Sequence, residues 1–265
     1  MKALILSELE RIWGRKRTGI LFILNIVLIF MICAFVNFYK VGFYGPNAYI
    51  KLNSLNFSPF VLREGHIILT CIICPIIFID CLNYEKTSGR FRLYMIRAYD
   101  KFEYIVSKWI ALSITLFIFV ISIFIVSNVF GFTLMPKTEY TELVNVQGEY
   151  GLISALLYNI KFYMIEYMIL LCILGIASLV SVLVPNAVLA VIATIAVIVG
   201  SIYVWDGFSF LLFSTDEIFN ALGGINTAQF FISLIGIILI TVLSSGLYGK
   251  RKGIIFSGKH DKILV

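Results

Sequence analysis

The cysteine pair Cys71-x-x-Cys74 has the spacing of a redox couple or of half a zinc site. No second Cys pair accompanies it, and all five cysteines (Cys33, Cys71, Cys74, Cys81 and Cys172) fall in apolar runs, where Cys packs as a small hydrophobe. Of the two histidines, His66 and His260 fall near opposite faces of any membrane these runs cross, so no shared histidine site is expected. Neither a Gly-x-Ser-x-Gly elbow nor a His-Glu-x-x-His helix occurs, which argues against an intramembrane hydrolase. Ser257-Gly258-Lys259-His260 imitates the end of a phosphate-binding loop but lacks its first Gly and its hydroxyl. Asp80 and Glu166 are the ionisable groups left inside apolar runs. Such groups are costly unless paired or hydrated and mark candidate functional positions. The expectation here is structural: Asp80 lies one turn from Glu85 at an interface, and Glu166 is placed to snorkel outward or to pair with Lys161 or Tyr163.

The elements that must carry these residues are membrane spans. Sixty per cent of the 265 residues are hydrophobic and 14% charged, with a mean hydropathy of +0.99, which is far from the composition of an aqueous domain. The apolar residues form blocks of about 20, the length that carries an α-helix across a hydrocarbon core of about 30 Å. Six blocks are expected to span, at 19–39, 65–84, 105–130, 156–183, 187–205 and 228–248. The loops 40–64 and 131–155 are too short for a core of their own, so residues 1–265 read as one transmembrane domain. The fold class expected is an all-α polytopic membrane protein. The first span reads as retained, because a polar or amphipathic segment precedes it and no small-x-small cleavage site follows. Pro75 is expected to kink the second span.

Orientation follows from Lys and Arg next to the spans. With the N-terminus inside, Lys40, Lys51, Arg63, Lys137 and Lys161 lie outside, and the other sixteen of the 21 lie inside. Both termini are then cytoplasmic. The net charge of +6 is accordingly a topology signal whose partner is the lipid bilayer, not nucleic acid.

Three segments between spans have character. In residues 1–18, Leu4, Ile5, Leu9, Ile12 and Trp13 recur on one helical face, with Glu8, Arg11 and Arg15 opposite. This predicts an interfacial helix, Trp13 at headgroup level and Arg15, Lys16 and Arg17 on anionic lipid. In residues 85–104, Phe91, Tyr94 and Met95 recur at helical spacing while Arg90, Arg97 and Lys101 project elsewhere, a composition suited to docking a cytoplasmic partner. Residues 206–227 are apolar but too interrupted to cross and return, which predicts a re-entrant hairpin on the outer side.

At the second of these segments the sequence resembles the ABC-2 family of ABC exporter permeases, also called type V exporters. Glu85, Gly89-Arg90-Phe91-Arg92-Leu93 and Lys108 fit the family's Glu, Gly, basic–apolar helix and Lys pattern, while Ala98-Tyr99-Asp100-Lys101 fills the following turn without its Pro. Leu174-Gly175-Ile176-Ala177-Ser178-Leu179, the Val184-Pro185-Asn186 turn and the segment before the last span also resemble family features. The resemblance covers nearly the whole chain. It implies that residues 85–104 are a cytoplasmic coupling helix, with Glu85, Gly89, Arg90, Phe91, Arg92, Tyr94, Met95 and Arg97 as ATPase-coupling residues. It further implies a dimer of ABC ATPase subunits that bind ATP and Mg, no cofactor on this chain, and a second permease, identical or a paralogue. An amphipathic or hydrophobic substrate such as an antimicrobial peptide or drug would then leave the cell between the permeases, with Asn25 and Asn128 offering hydrogen bonds along the path. An ion-coupled secondary transporter is the alternative; it would normally show paired carboxylates or broken helices near the midplane.

Overall fold

In the computed structural model, residues 1–44, 48–87 and 101–258 are described. Helix α1 (Lys2–Trp13) is followed after two residues by α2 (Lys16–Tyr39). The second helix starts earlier than the apolar block because Arg15 turns extended, with ψ 126°, and the chain can resume a helix at once. A short antiparallel hairpin, β1 (Val41–Phe43) and β2 (Tyr49–Lys51), leads to α3 (Phe57–Ile68), a π-helical turn at Leu69–Ile73 and α4 (Cys74–Thr87). Helix α5 (Lys101–Leu134), the hairpin of β3 (Tyr140–Leu143) and β4 (Val146–Gly151), and α6 (Leu152–Leu183) come next. Then follow α7 (Ala187–Val204), a 3-10 turn at Asp206–Leu211, α8 (Ser214–Leu222) and α9 (Thr227–Gly258).

Among the described residues, five helical runs are long and apolar enough to cross a membrane: Lys16–Tyr39, Phe57–Asn83, Val106–Leu134, Leu152–Leu183 and Ala187–Val204. The last helix is apolar over Thr227–Val242. The protein is therefore a membrane-embedded helical bundle. Its second run begins eight residues before the apolar block suggests, because Asn53 accepts from the backbone N–H of Leu55 and Asn56 and turns the chain directly into α3. The loops are correspondingly shorter than 40–64 and 131–155, and both contain hairpins. Pro75 lies just past the π turn. Cys74 N–H reaches back five residues to Leu69 O, so the extra residue, rather than a break, absorbs the ring that a regular helix cannot accommodate.

The bundle has two ends. At the basal end, Arg15 of the α1–α2 junction meets Asp80, and Asn83 of α4 meets Val184 and Ser181 beyond and within the last turn of α6. The β hairpins and residues 206–226 form the opposite, hairpin end. Helix α6 is the hub: it touches α3, α4, α5, α7, α8 and α9, and its apolar window is the most buried of the spans. Gly175 lets α9 approach, since a Cβ there would collide with Thr241 Oγ1. Helices α2 and α7 are the most exposed, with outward residues such as Ile23, Phe30, Ile192 and Tyr203. Helix α1 lies along α5, and Trp13 is drawn inward to Phe22 and Phe119, with ring centroids 5.4 and 6.4 Å away. Glu8 departs from the periodicity. It is buried and paired to Arg11 at 2.5 Å instead of facing out with the polar residues.

Candidate functional site

Helices α3, α5 and α6 meet along a seam of polar side chains that runs from the hairpin end into the apolar bundle. On α3 it is made by Ser58 and His66, and on α6 by Asn159, Tyr163 and Glu166, spacings that keep each set on one helical face. Ser127 and Asn128 complete it from α5. All are buried. The upper part is a tight neutral network: Ser58 and Ser127 hydroxyls are 2.6 Å apart, Tyr163 donates to Ser58 O at 3.0 Å, and Asn128 donates to Ser58 Oγ at 3.0 Å. Asn159 donates to Leu55 O while its Oδ1 has no hydrogen-bond partner.

Deeper along α3, more than two turns past its start, lies the ionisable part. His66 Nδ1 is 2.9 Å from Glu166 Oε1 and 2.8 Å from Ser214 Oγ, and Ser214 donates to Glu166 Oε2 at 2.7 Å. His66 Nε2 faces Leu212 O at 3.2 Å. A carbonyl only accepts, so Nε2 carries a hydrogen and the ring orientation is set. One further hydrogen must lie between Nδ1 and Oε1, as imidazolium with carboxylate or as neutral imidazole with carboxylic acid; both are neutral overall. With Ser214 donating to the second carboxylate oxygen, each group of the cluster is satisfied without net charge, the condition for tolerating it at this depth. Serine, histidine and a carboxylate also compose a hydrolytic triad. Here, however, Ser214 and Glu166 both crowd Nδ1, whereas a triad places the nucleophile and the carboxylate on opposite ring nitrogens.

This arrangement corrects two sequence readings. Glu166 pairs with His66 and Ser214 rather than with Lys161 or Tyr163, and does not snorkel, because it lies on the inward face of α6, fully buried, with both carboxylate oxygens engaged. His66 lies inside the bundle rather than at a face, since α3 begins at Phe57. Sequence reasoning misses the cluster because its members are about 100 and 148 residues from His66. The one local signal is the amphipathic Phe57–Glu64 stretch, which starts α3 early and carries His66 inward.

At the basal end, Arg15 donates to Asp80 O at 2.9 Å and Oδ2 at 3.2 Å, and Arg17 to Oδ1 at 2.8 Å. Two of the three cations read as lipid-binding are thus committed to Asp80; Lys16 is exposed. Glu85 falls on the last turn of α4, while Gly89, Arg90, Phe91, Arg92, Tyr94, Met95 and Arg97 lie outside the described residues. Asn25 is buried on α2, 3.5 Å from Ser122 Oγ, in an apolar crevice with Ile29, Leu62, Gly65 and Leu69. Asn128 belongs to the seam instead, so the two asparagines have separate surroundings. Among the described residues, no group of three or more metal-ligating side chains is assembled. No protein-family model matches this chain, and no curated protein sequence matches it.

Proposed function

We propose that this chain is the membrane subunit of an ATP-driven exporter of the ABC-2 kind, working as a dimer with a separate cytoplasmic ATPase that binds ATP and Mg. In this reading α9 is the sixth span, both termini face the cytoplasm, and residues 206–222 re-enter the outer leaflet. The reading rests on the order of elements: an amphipathic α1 against α5, the basic and aromatic stretch 85–104 running from the end of α4 to the start of α5, and a helical pair before the last helix, in a chain without a phosphate loop. The basal end, where Arg15, Arg17 and Asp80 meet, is also the end rich in Lys and Arg, which supports an inner-membrane orientation with that end inside. Purification from native membranes should recover a P-loop ATPase and two permease-type subunits, and Phe91→Ala or Tyr94→Ala should abolish stimulation of that ATPase while membrane insertion persists. An active assembly with one permease, or unchanged stimulation in both variants, would refute it. Orientation is tested by impermeant thiol labelling in intact cells, expected at Asn53→Cys and Glu142→Cys and not at Ser88→Cys.

The His66–Glu166 pair favours a second reading, proton-coupled secondary transport, because it holds a shareable hydrogen inside the bundle beside the π turn between α3 and α4. In that case the purified chain alone in vesicles would carry out flux driven by a pH gradient, and Glu166→Gln would abolish it. Absence of such flux, with ATP-dependent flux in the complex, returns the decision to the exporter.

A further inference from the structure

We infer that the β1–β2 hairpin is a lipid-interface anchor: its outward face, together with the aromatic end of α2, lies among phospholipid headgroups and takes the bilayer surface as its partner. Strand pairing decides which residues form that face. Phe43 lies opposite Tyr49 and Val41 opposite Lys51, and successive side chains alternate, so these four share one face while Gly42 and Ile50 take the other. The inner face is committed to the bundle. A Cβ on Gly42 would lie 2.5 Å from the Phe60 ring, so the missing side chain lets the strand rest on α3, and Ile50 packs on the buried core. The outer face is left open among the described residues: Phe43 and Tyr49 are both more than half exposed, with ring centroids 6.5 Å apart.

The helices beside this face set its depth. Helix α2 has 24 residues, which at 1.5 Å each exceeds a hydrocarbon core of about 30 Å, so Phe38 and Tyr39 in its last turn reach headgroup level. Phe43 follows four residues later, no more than about 14 Å away even in a fully extended chain. The strand does not use that reach to leave the bundle, since Gly42 rests on Phe60 within the membrane-crossing run Phe57–Asn83. Phe35, Phe38 and Tyr39 are also more than half exposed, and the Tyr39 ring lies 4.9 Å from Phe35 and 5.3 Å from Phe38. The patch is thus continuous with the outward surface of α2. Aromatic rings are favoured at this depth, and Lys40 and Lys51, exposed where Leu52 N donates to Lys40 O at 3.0 Å, bring cations to the phosphates. The β3–β4 hairpin is built differently. Its cross-strand pair Glu142 and Glu149 sets two exposed carboxylates opposite each other, an arrangement suited to water. Anchoring the first hairpin gives α2 a hold that packing supplies only weakly, because α2 and α7 are the least buried of the five spans.

The inference requires a membrane-embedded chain and does not depend on how transport is driven. Its test uses Phe43→Cys and Tyr49→Cys, with Gln147→Cys on β4 as the aqueous reference and the native thiols buried. In phosphatidylcholine nanodiscs each variant is treated with an uncharged, membrane-soluble thiosulfonate and with a cationic one of similar size. The ratio of the two rates is compared, so that differences in thiol ionisation cancel. It should be about tenfold or more higher at positions 43 and 49 than at 147, because a fixed charge enters the interface far less readily than a neutral group. An anionic reagent should be excluded in the same way, which separates depth from repulsion by Lys40 and Lys51. Both positions are exposed, and each variant keeps the other aromatic residue, so either one carries the result if the other fails to fold. Ratios equal to that of Gln147→Cys, or an anionic reagent as fast as at Gln147→Cys, would put the face in water and overturn the inference. Protection from all three reagents would mean that a second protein copy covers the face, which overturns it equally.

Discussion

Inside the bundle Glu166 and His66 are buried and share Ser214 between them, whereas at the basal end Arg17 reaches Asp80 with 76% of its side chain exposed. Both pair an acidic side chain with a basic one across distant parts of the chain, yet their surroundings assign them different work. The buried cluster fixes the mutual placement of α3, α6 and α8, because losing a partner here gives up hydrogen bonds that water is not present to replace. At the basal pair water and headgroups can substitute for the partner of Arg17, so that contact orients the α1–α2 junction without holding the bundle together. Depth, not the formal charge of the partners, decides what each contact contributes.

The comparison is broken most directly at position 166. Glu166→Leu should destabilise the protein by about 3 kcal/mol, since it removes both buried bonds to the carboxylate and leaves His66 Nδ1 and Ser214 only each other as partners. The His66→Met, Glu166→Leu double variant should recover part of the loss by removing both buried ionisable groups together. Thermal unfolding in a mild detergent with lipid is the measurement; equal losses in the single and double variants would show that packing volume, not stranded polarity, sets the effect.

Asn83 asks whether depth or position along the bundle matters, because it is a buried polar contact at the basal end. Its amide donates to Val184 O at 3.2 Å and its oxygen accepts from Ser181 at 2.5 Å, joining α4 to the exit of α6. Asn83→Ala should cost about 2 kcal/mol in the same assay, well above any basal ion-pair variant. Tyr163→Phe comes next at about 1 kcal/mol, because Ser58 and Ser127 still bond each other when the phenol hydroxyl is gone. If Tyr163→Phe equalled Glu166→Leu, the seam would have to be treated as one cooperative unit rather than a neutral upper network and an ionisable lower one.

Legibility followed the range of the interactions. Blocks near 20 apolar residues carried the helices, since hydropathy is a local property and the hydrocarbon thickness sets their length. The Val184-Pro185-Asn186 turn was readable for the same reason: a missing N–H acts at its own position, and Asn186 accepts from Val188 N as the cap that restarts α7, whereas the π turn before Pro75 was not foreseen. Helix starts hidden in mixed sequence were not. Phe57–Glu64 contains Ser58, Arg63 and Glu64, which lower its hydropathy, although its apolar residues are buried and the segment is helical. Glu8 was misplaced because periodicity assigns a face by residue type, while a nearby Arg11 allows the carboxylate to be buried. The His66–Glu166–Ser214 cluster depends on three distant segments meeting, which no single window of sequence contains.

The smallest expected effect sharpens the comparison at the basal end itself. Arg15 and Arg17 share Asp80, but the Arg15 side chain is only 16% exposed and bonds both a carboxylate oxygen and the Asp80 carbonyl. Arg17 makes one bond at 2.8 Å from a largely solvated side chain, so its gain in Coulomb energy is offset by hydration and by the entropy of holding a long side chain still. Arg17→Ala should therefore cost no more than about 0.5 kcal/mol, and that cost should fade as salt is raised toward about 0.5 M, because exposed pairs are screened. Arg15→Ala should cost more and keep most of its effect at the same salt, since the carbonyl bond does not depend on Asp80 being ionised. Asp80→Asn separates the two: it abolishes the charge seen by both arginines while leaving the backbone acceptor for Arg15. Measured in a double-variant cycle, coupling between Arg17 and Asp80 should vanish at high salt, whereas a coupling that survives would mean that the basal pair is shielded like the buried cluster and that the two ends are built alike.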